Sequence, residues 1–290
     1  MTLFDDDPAS PTAPSGPSVR VGPSVRVRLQ VAYDGRRFHG FAAQAAGVRT
    51  VASVLAGALE RILRLEAPLE LTCAGRTDAG VHAWDQWVHV DLPVTAAEDL
   101  PGLQRRLVKL LGPEVVVRSL SPAPAGWDAR RSAVARTYRY TVLTGPVPDP
   151  FRAGFVWWRA GELDVRAMQL ACDGLVGEHD FASFCRRAGG PEAQPLIRRV
   201  TDAGWREVEP GVLEFEITAN AFCQQMVRSV VGTLVEVGAG KRRAGDVLGI
   251  VRARDRSKAG VVAPPDGLVL WKVTYLTDEV ISSGSAGGGR

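Results

Sequence analysis

The order of hydrophobic periodicities along the chain constrains its fold more than any other feature. In the first half, apolar residues that alternate or recur at helical spacing predict the order strand 25–33, helix 51–64, strand 69–73, strand 84–92, helix 100–111 and strand 115–120. The second half repeats this order with strand 136–143, helix 163–176, strands 198–207 and 212–218, helix 224–237, an additional helix 244–254 and strand 268–275. Each half therefore follows the β-α-β-β-α-β order of ferredoxin-like domains.

This repetition predicts an α+β protein with two ferredoxin-like or RRM-like halves, whose antiparallel sheets are flanked on one side by helices. We assign residues 25–125 to the first half and residues 126–277 to the second. Residues 1–24 are rich in Pro, Ser and Asp and poor in large apolar side chains, which predicts a disordered tail. Residues 278–290, which end in SSGSAGGGR, predict a flexible tail.

The composition indicates a soluble cytoplasmic protein. The apolar runs are far shorter than a membrane span, and the first residues lack the basic-then-apolar pattern of a signal peptide. Four cysteines, without CxxC spacing, predict reduced thiols and no disulfide framework: Cys73, Cys172, Cys185 and Cys223. The four histidines form no HExxH pattern, so no metal site is expected.

The charge of the chain is unevenly distributed. The net charge is +3, but residues 1–24 contribute −2, which leaves +5 on the rest of the chain. A basic folded part suits a polyanionic partner such as a nucleic acid. Because the chain is also rich in Ala, Gly and Arg throughout, compositional bias explains the same excess, and charge alone does not decide.

The sequence GRTDAG at 75–80 lies between the predicted strands 69–73 and 84–92. Glycine permits sharp turns and the close approach of another molecule, and here two glycines enclose Arg76 and Asp78. Either the two side chains pair and fix a tight turn, or Asp78 is a reactive carboxylate beside a cation. The segment lacks the GxxxxGK spacing of a phosphate loop, and its carboxylate would repel phosphate.

Three further stretches contain residues that packing alone explains poorly. YDG at 33–35, followed by FHG at 38–40, is a turn signal at the end of the first strand. RTYRY at 136–140 places Arg136, Tyr138 and Tyr140 on one face of a strand, which suits either base stacking or a buried sheet. In NAFCQQMVR at 220–228, Arg228 lies beside an apolar helix stripe, where an arginine is usually solvated unless a partner such as Asp78 faces it.

Taken in order, these stretches resemble the bacterial tRNA pseudouridine synthase A family. The resemblance covers nearly all of residues 25–277 and rests on YDG-x-x-F-x-G at 33–40, GRTDAGVHA at 75–83, R-x-Y-x-Y at 136–140, NAF-x-x-x-MVR at 220–228 and APPDGL-x-L at 263–270. It implies the pseudouridine synthase fold and a homodimeric, cofactor-free enzyme. That enzyme converts uridine to pseudouridine at positions 38, 39 and 40 of the tRNA anticodon stem-loop.

The resemblance also implies a role for individual residues. Asp78 would be the catalytic nucleophile, Arg228 its ion-pair partner, and Arg76 the residue that takes the place of the flipped base. Tyr138 would pack against the uracil and Leu268 would line the pocket. The sequence departs from the family pattern at 40–44, where GFAAQ replaces Gly-Trp-Gln, and at Gln224-Gln225, where many members have His-His. Both departures concern contacts with tRNA.

The chemistry of pseudouridine formation explains a carboxylate in such a turn. The bond from ribose C1′ to N1 must break and the base must rejoin through C5, so the base has to leave the stem. A carboxylate can attack sugar C1′ or base C6, or take a proton from the ribose, and a nearby cation would keep it ionised. Two other classes stay in view: a non-catalytic RNA-binding protein, and a nucleoside glycosidase with Asp85 as the second carboxylate.

Overall fold

The computed structural model describes residues 23–186 and 194–276. The strands in these ranges are β1 (Ser24–Tyr33), β2 (Thr72–Cys73), β3 (His82–Pro93), β4 (Val115–Pro122), β5 (Ala133–Thr144), β6 (Trp157–Arg159), β7 (Gly177–Asp180), β8 (Ile197–Glu209), β9 (Val212–Ala219) and β10 (Leu268–Tyr275). The α-helices are α1 (Val51–Leu63), α2 (Leu100–Leu111), α3 (Val165–Cys172), α4 (Met226–Gly238) and α5 (Asp246–Ala253).

The strands form one sheet in the order β4-β1-β3-β10-β5-β9-β8-β7, with β2 paired to β3 and β6 paired to β5. In the first half, β4-β1-β3-β2 is the strand order of a ferredoxin-like domain, and β10-β5-β9-β8 repeats that order in the second half. The halves meet where β10 runs parallel to β3, with Val269 opposite His82. The predicted α+β fold with two ferredoxin-like halves is therefore confirmed.

Burial alternates along the strands, which shows that the helices cover one face of the sheet. On β1 the side chains of Val27, Leu29, Val31 and Tyr33 are buried, whereas the intervening side chains are partly exposed. The buried residues of both halves belong to a single core cluster. We call the helix-covered side the inner face and the opposite side the outer face.

Local sequence explains where the helices of the first half begin. Thr50 caps α1 by accepting a hydrogen bond from the backbone of Ser53, and the Ser53 side chain returns one to the Thr50 backbone. Asp99 caps α2 by accepting a hydrogen bond from the backbone of Gly102. These two caps place both helices within a residue of their predicted bounds.

The predicted tail over residues 278–290 lies outside the described residues, as does the predicted tail over 1–24 apart from Pro23 and Ser24. Ser24 is the first residue of β1. Within the described ranges, no helix has the length and apolar character needed to cross a membrane.

Candidate active site

The chain between β2 and β3 forms a tight turn that is fixed by its backbone; we call residues 74–81 the catalytic turn. At its start, the Ala74 N–H donates to the Trp87 carbonyl at 2.8 Å. At its centre, the Thr77 carbonyl accepts from the Phe41 N–H at 3.1 Å, and near its end the Gly80 N–H donates to the Phe38 carbonyl at 3.2 Å. Fixed hydrogen bonds on both sides hold the backbone from which Arg76 and Asp78 project.

Gly35 and Gly40, the two glycines of YDG-x-x-F-x-G, allow the turn after β1 to approach this backbone closely. Gly40 has φ +93°, and a Cβ atom there would lie 2.7 Å from the Thr77 carbonyl oxygen. A Cβ atom on Gly35 would overlap the carbonyl of Val81. The YDG-x-x-F-x-G stretch is thus more than a surface turn, because it packs directly against the catalytic turn.

Asp78 faces Arg228 from the first turn of α4. The Arg228 Nη1 atom lies 3.5 Å from Asp78 Oδ2, and the two side chains are 15% and 24% exposed, so the pair is shielded but reachable from solvent. Arg228 Nε donates to the Ala263 carbonyl at 2.7 Å, which holds the guanidinium in place. Arg228 therefore has an acidic partner. Without one, an arginine at the edge of a helix stripe is expected to be solvated.

Tyr138 closes the other side of the catalytic turn. Its ring packs edge-on against Phe222 with centroids 5.0 Å apart, and it is 6% exposed. A Cβ atom on Gly75 would lie 3.9 Å from the Tyr138 hydroxyl oxygen, an ordinary van der Waals distance, so Tyr138 packs close to the start of the turn. Burial, and secondarily the charge of Asp78, raises the pKa of Tyr138, which therefore stays a neutral phenol at physiological pH.

Arg136 anchors the same strand to the turn. Its guanidinium is buried and donates to the Ala74 carbonyl through Nη2 at 2.8 Å and to the Asn220 carbonyl through Nη1 at 2.7 Å. Burial lowers the pKa of Arg136. The three alternate residues of R-x-Y-x-Y share the inner face, but each is engaged by protein groups, as the buried-sheet interpretation predicts.

Leu268 lies at the start of β10, where it is 4% exposed and stands opposite Tyr140. Leu270, two residues later on the same face, stands opposite Tyr138. The loop before Leu268 also supports the site, because the Pro264 carbonyl accepts from the Tyr140 hydroxyl at 2.8 Å. APPDGL-x-L thus contributes apolar side chains and the carbonyl groups that orient Tyr140 and Arg228.

Arg76 stands apart from the ion pair of Asp78 and Arg228. Its side chain is exposed, and it forms no ion pair with Asp78 although only Thr77 separates them. The hypothesis of an Arg76–Asp78 pair that ties down the turn is therefore wrong. The turn is held by backbone and buried polar contacts, and Arg76 points into solvent.

Three residues of the site were missed by sequence reasoning: Gln86, Tyr33 and Thr77. Gln86 on β3 is fully buried and hydrogen-bonds the backbone of Gly75, while the Tyr33 hydroxyl contacts Thr77 Oγ1 at 2.8 Å. The signal for Gln86 is weak: a single amide on the same face as Val88 and Val90, which are apolar and buried. Tyr33 belongs to the YDG stretch, but as a turn signal that stretch gives the Tyr33 hydroxyl no role in the site.

Asp85 does not serve as a second carboxylate for Asp78. It is buried on the outer face, where its carboxylate accepts from Gln30 Nε2 at 2.8 Å and from the Val273 N–H at 2.9 Å. Within residues 23–186 and 194–276, no three His, Cys, Asp or Glu side chains are placed to hold a metal ion. The arrangement offers one carboxylate beside a guanidinium, which suits attack by Asp78 itself rather than a paired acid and base.

The cysteines require a correction. We predict reduced thiols from the lack of CxxC spacing, but the structure joins Cys185 and Cys223 in a disulfide with Cα atoms 5.7 Å apart. The two residues are 38 positions apart, and the fold brings them together before α4, where the Arg186 N–H donates to the Gln224 carbonyl at 2.9 Å. Spacing rules miss such a pair. Cys73 and Cys172 are free and buried.

Comparison with known proteins agrees with this geometry. The family model described as tRNA pseudouridine synthase matches residues 171–276. The chain is 43% identical over 261 residues to tRNA pseudouridine synthase A of Streptomyces avermitilis, covering 89% of this chain and 90% of that protein. It is 40% identical over 251 residues to tRNA pseudouridine synthase A of Bacillus velezensis, covering 86% and 98%.

Solved structures resemble the chain more distantly. The crystal structure of a Cbf5-Nop10-Gar1 complex covers 72% of this chain and 45% of the matched chain, with 14% identity and a TM-score of 0.33, which is too low to bear on function. The curated relatives are decisive, since they are similar over almost their whole length. On that similarity, the chain belongs to the bacterial tRNA pseudouridine synthase A family.

Proposed function

We propose that this protein converts uridine to pseudouridine at positions 38, 39 and 40 of the tRNA anticodon stem-loop, with Asp78 as the nucleophile. The coarser statement, that it is an isomerase acting as a tRNA pseudouridine synthase, follows from its family. The observation that carries the role of Asp78 is its meeting with Arg228, 150 residues away in sequence, at 3.5 Å. The assignment of positions 38, 39 and 40 rests on the resemblance at the motifs.

The site has the groups that the reaction needs and requires no added reagent. Uridine and pseudouridine have the same atoms: the C1′–N1 bond breaks, a C1′–C5 bond forms, a proton leaves C5 and a proton is gained at N1. The Asp78 carboxylate begins this sequence by attack at C1′, by attack at C6, or by removal of a ribose proton. Arg228 Nη1 faces the carboxylate at 3.5 Å in each case.

The neighbouring residues receive roles from their positions. Arg76 is exposed and has no ion-pair partner among residues 23–186 and 194–276, so it is free to enter the helix and occupy the space of the flipped uridine. Tyr138 and Leu268 are buried on the inner face and would form the apolar wall against which the uracil packs. Each role depends on the base leaving the stem, because Asp78 cannot reach a stacked nucleotide.

We further propose that the enzyme is a cytoplasmic homodimer, in which each chain consists of the halves 25–125 and 126–277. A tRNA is longer than the cleft of one chain of this size, so one subunit can hold the distal part of the tRNA while the other reacts. Light scattering is expected to give twice the mass of the chain at micromolar concentration. A fully active monomer would contradict this part of the proposal.

The other two classes fit the site less well. A non-catalytic RNA-binding protein gains nothing from Asp78, because a carboxylate in a basic cleft weakens phosphate binding. A nucleoside glycosidase needs a paired acid, and Asp85 is engaged on the outer face of the sheet.

The experiment that tests the function is a pseudouridine map of tRNA from cells that lack this gene. We expect pseudouridine to disappear at positions 38, 39 and 40 and to return when the gene is restored. Persistence of pseudouridine at all three positions would contradict the proposal. Loss at other positions only would retain the activity and overturn the assignment of the anticodon stem-loop.

A further inference from the structure

Gln86, a buried amide side chain on β3, lies at the point where the β-ladder between β2 and β3 ends. Thr72 pairs with His89 and Cys73 with Val88, and the last ladder bond joins the Ala74 N–H to the Trp87 carbonyl. If the ladder continued, Gly75 would face the backbone of Gln86. Instead the chain leaves the sheet at Gly75 to form the catalytic turn.

The Gln86 side chain supplies the hydrogen bonds that the missing strand partner would have made. Its Nε2 donates to the Gly75 carbonyl at 2.6 Å, and its Oε1 accepts from the Gly75 N–H at 3.3 Å. Both polar groups of the Gly75 backbone are therefore paired with one primary amide. Gln86 is 0% exposed, so replacing its amide with an apolar side chain would leave both Gly75 groups without these partners.

The second N–H of the amide extends the contact to the far side of Arg76. Gln86 Nε2 lies 3.4 Å from the Tyr33 hydroxyl, and that hydroxyl is 2.8 Å from Thr77 Oγ1. The chain of polar contacts begins and ends on the catalytic turn, at Gly75 and Thr77. It encloses Arg76 and ends at the residue immediately before Asp78.

We propose that Gln86 is a positioning residue for pseudouridine formation, which sets the direction of Asp78 and Arg76 by fixing Gly75 directly and Thr77 through Tyr33. The inference rests on the proposed role of Asp78. Gln86 touches neither substrate nor reacting atoms, so its removal changes the geometry of the turn and leaves its charges intact. Small displacements of a reacting group are costly, about a hundredfold in rate for about 1 Å.

The test replaces Gln86 with leucine, which has similar volume and no hydrogen-bonding group. We expect Gln86→Leu to lower kcat by about ten- to a hundredfold. The KM for a tRNA transcript should stay within about threefold of the parent, because the RNA-binding surface is unchanged. Because partial unfolding lowers the apparent kcat without changing KM, kcat is calculated per folded molecule, with the folded fraction measured by circular dichroism.

Gln104→Leu is the matched control. Gln104 on α2 also uses its amide to bind backbone carbonyls, those of Val117 and Arg118 at 3.1 and 2.9 Å, and it touches no part of the catalytic turn. We expect this variant to keep the kcat of the parent. An equal loss of kcat in both variants, or a Gln86→Leu variant with kcat within about threefold of the parent, would overturn the inference.

Two further variants keep the result interpretable. If Gln86→Leu does not fold, Tyr33→Phe removes only the hydroxyl that links Gln86 to Thr77 and keeps the ring against Phe41. A lower kcat at unchanged melting temperature supports the inference, and an unchanged kcat overturns it. Asp78→Asn in the same assay separates the two proposals: if it stays active, the proposed mechanism fails whatever Gln86 does.

Discussion

Arg76 and Asp78 are two residues apart on one rigid turn, yet their surroundings are opposite. Asp78 is shielded and faces Arg228, whereas Arg76 is exposed and pairs with no acidic side chain in the described part of the chain. The backbone of Arg76 is held by the turn, whereas its guanidinium is exposed. The guanidinium can therefore enter an RNA helix without first breaking an ion pair with Asp78. This difference fits the roles proposed above, chemistry for Asp78 and access to the base for Arg76.

Replacing Arg76 with alanine should abolish turnover and leave the protein folded. Base flipping costs a few kcal/mol, which the inserted side chain is proposed to offset. The melting temperature should stay close to that of the parent, because exposed substitutions usually change stability by no more than about 0.5 kcal/mol. Arg105→Ala, an exposed arginine on α2, is the control in both assays. Turnover by Arg76→Ala at the rate of the control would contradict the role.

The shape of the Arg228 guanidinium matters as much as its charge. Its Nε binds the Ala263 carbonyl while Nη1 faces Asp78, and a lysine ammonium cannot hold both positions with the same geometry. We expect Arg228→Lys to lower kcat by about tenfold or more, ~1.4 kcal/mol of transition-state stabilisation. Arg26→Lys, at the exposed pair with Asp91, should leave kcat unchanged. Full activity of Arg228→Lys would show that charge alone suffices.

At the scale of elements, β2 begins three residues later than the sequence predicts, although it ends at the predicted residue, Cys73. The sequence predicts a strand over 69–73, but only Thr72 and Cys73 pair with β3. The Leu69 N–H is taken by the carboxylate of Glu60 on α1 at 2.7 Å, which removes it from the ladder. The start of β2 therefore depends on a side chain of α1, and the hydrophobic pattern within 69–73 does not indicate this. The inner apolar stripe of β10 and the amphipathic α2, by contrast, are local patterns and their bounds were predicted correctly.

The disulfide joins the segment before α4 to the short helical turn at 182–184. In buffer without reductant, the denatured parent should contain two reactive thiols, those of Cys73 and Cys172. Reductant should lower its stability by about 2–4 kcal/mol, because the cross-link restricts the unfolded chain. The Cys185→Ser, Cys223→Ser double variant should not respond to reductant. Four reactive thiols in the parent without reductant would contradict the disulfide.

At the scale of the whole molecule, one continuous sheet brings residues from both halves to a single site. β3 and β10 run side by side at its centre, so the turn before β3 and the loop before β10 meet there. The predicted order of elements is sufficient to expect two ferredoxin-like halves. The order of elements does not predict that the two halves share one sheet. It therefore does not predict that Asp78 lies near Arg228. The resemblance at the motifs predicted that pair, and the fold supplies its distance.

Binding of tRNA should depend strongly on salt, because the chain beyond residue 24 has a net charge of +5. Arginine contacts to phosphates release counterions, so the affinity should fall by at least about tenfold between 50 and 200 mM salt. Filter binding of a tRNA transcript to the Asp78→Asn variant would measure this without turnover. An affinity that does not change over this range would show that phosphate contacts contribute little.

Substitution of Asp78 tests the central claim most directly. Asp78→Asn keeps the shape of the side chain and removes the charge, and Asp78→Glu keeps the charge but displaces it by about one methylene, which near-attack geometry tolerates poorly. Pseudouridine formation should vanish in Asp78→Asn, while the protein folds and binds tRNA at least as tightly as the parent, since a negative charge has left a site that faces phosphates. If Asp78→Asn forms pseudouridine within about tenfold of the parent rate, ~1.4 kcal/mol, Asp78 is a turn residue and the mechanism is wrong.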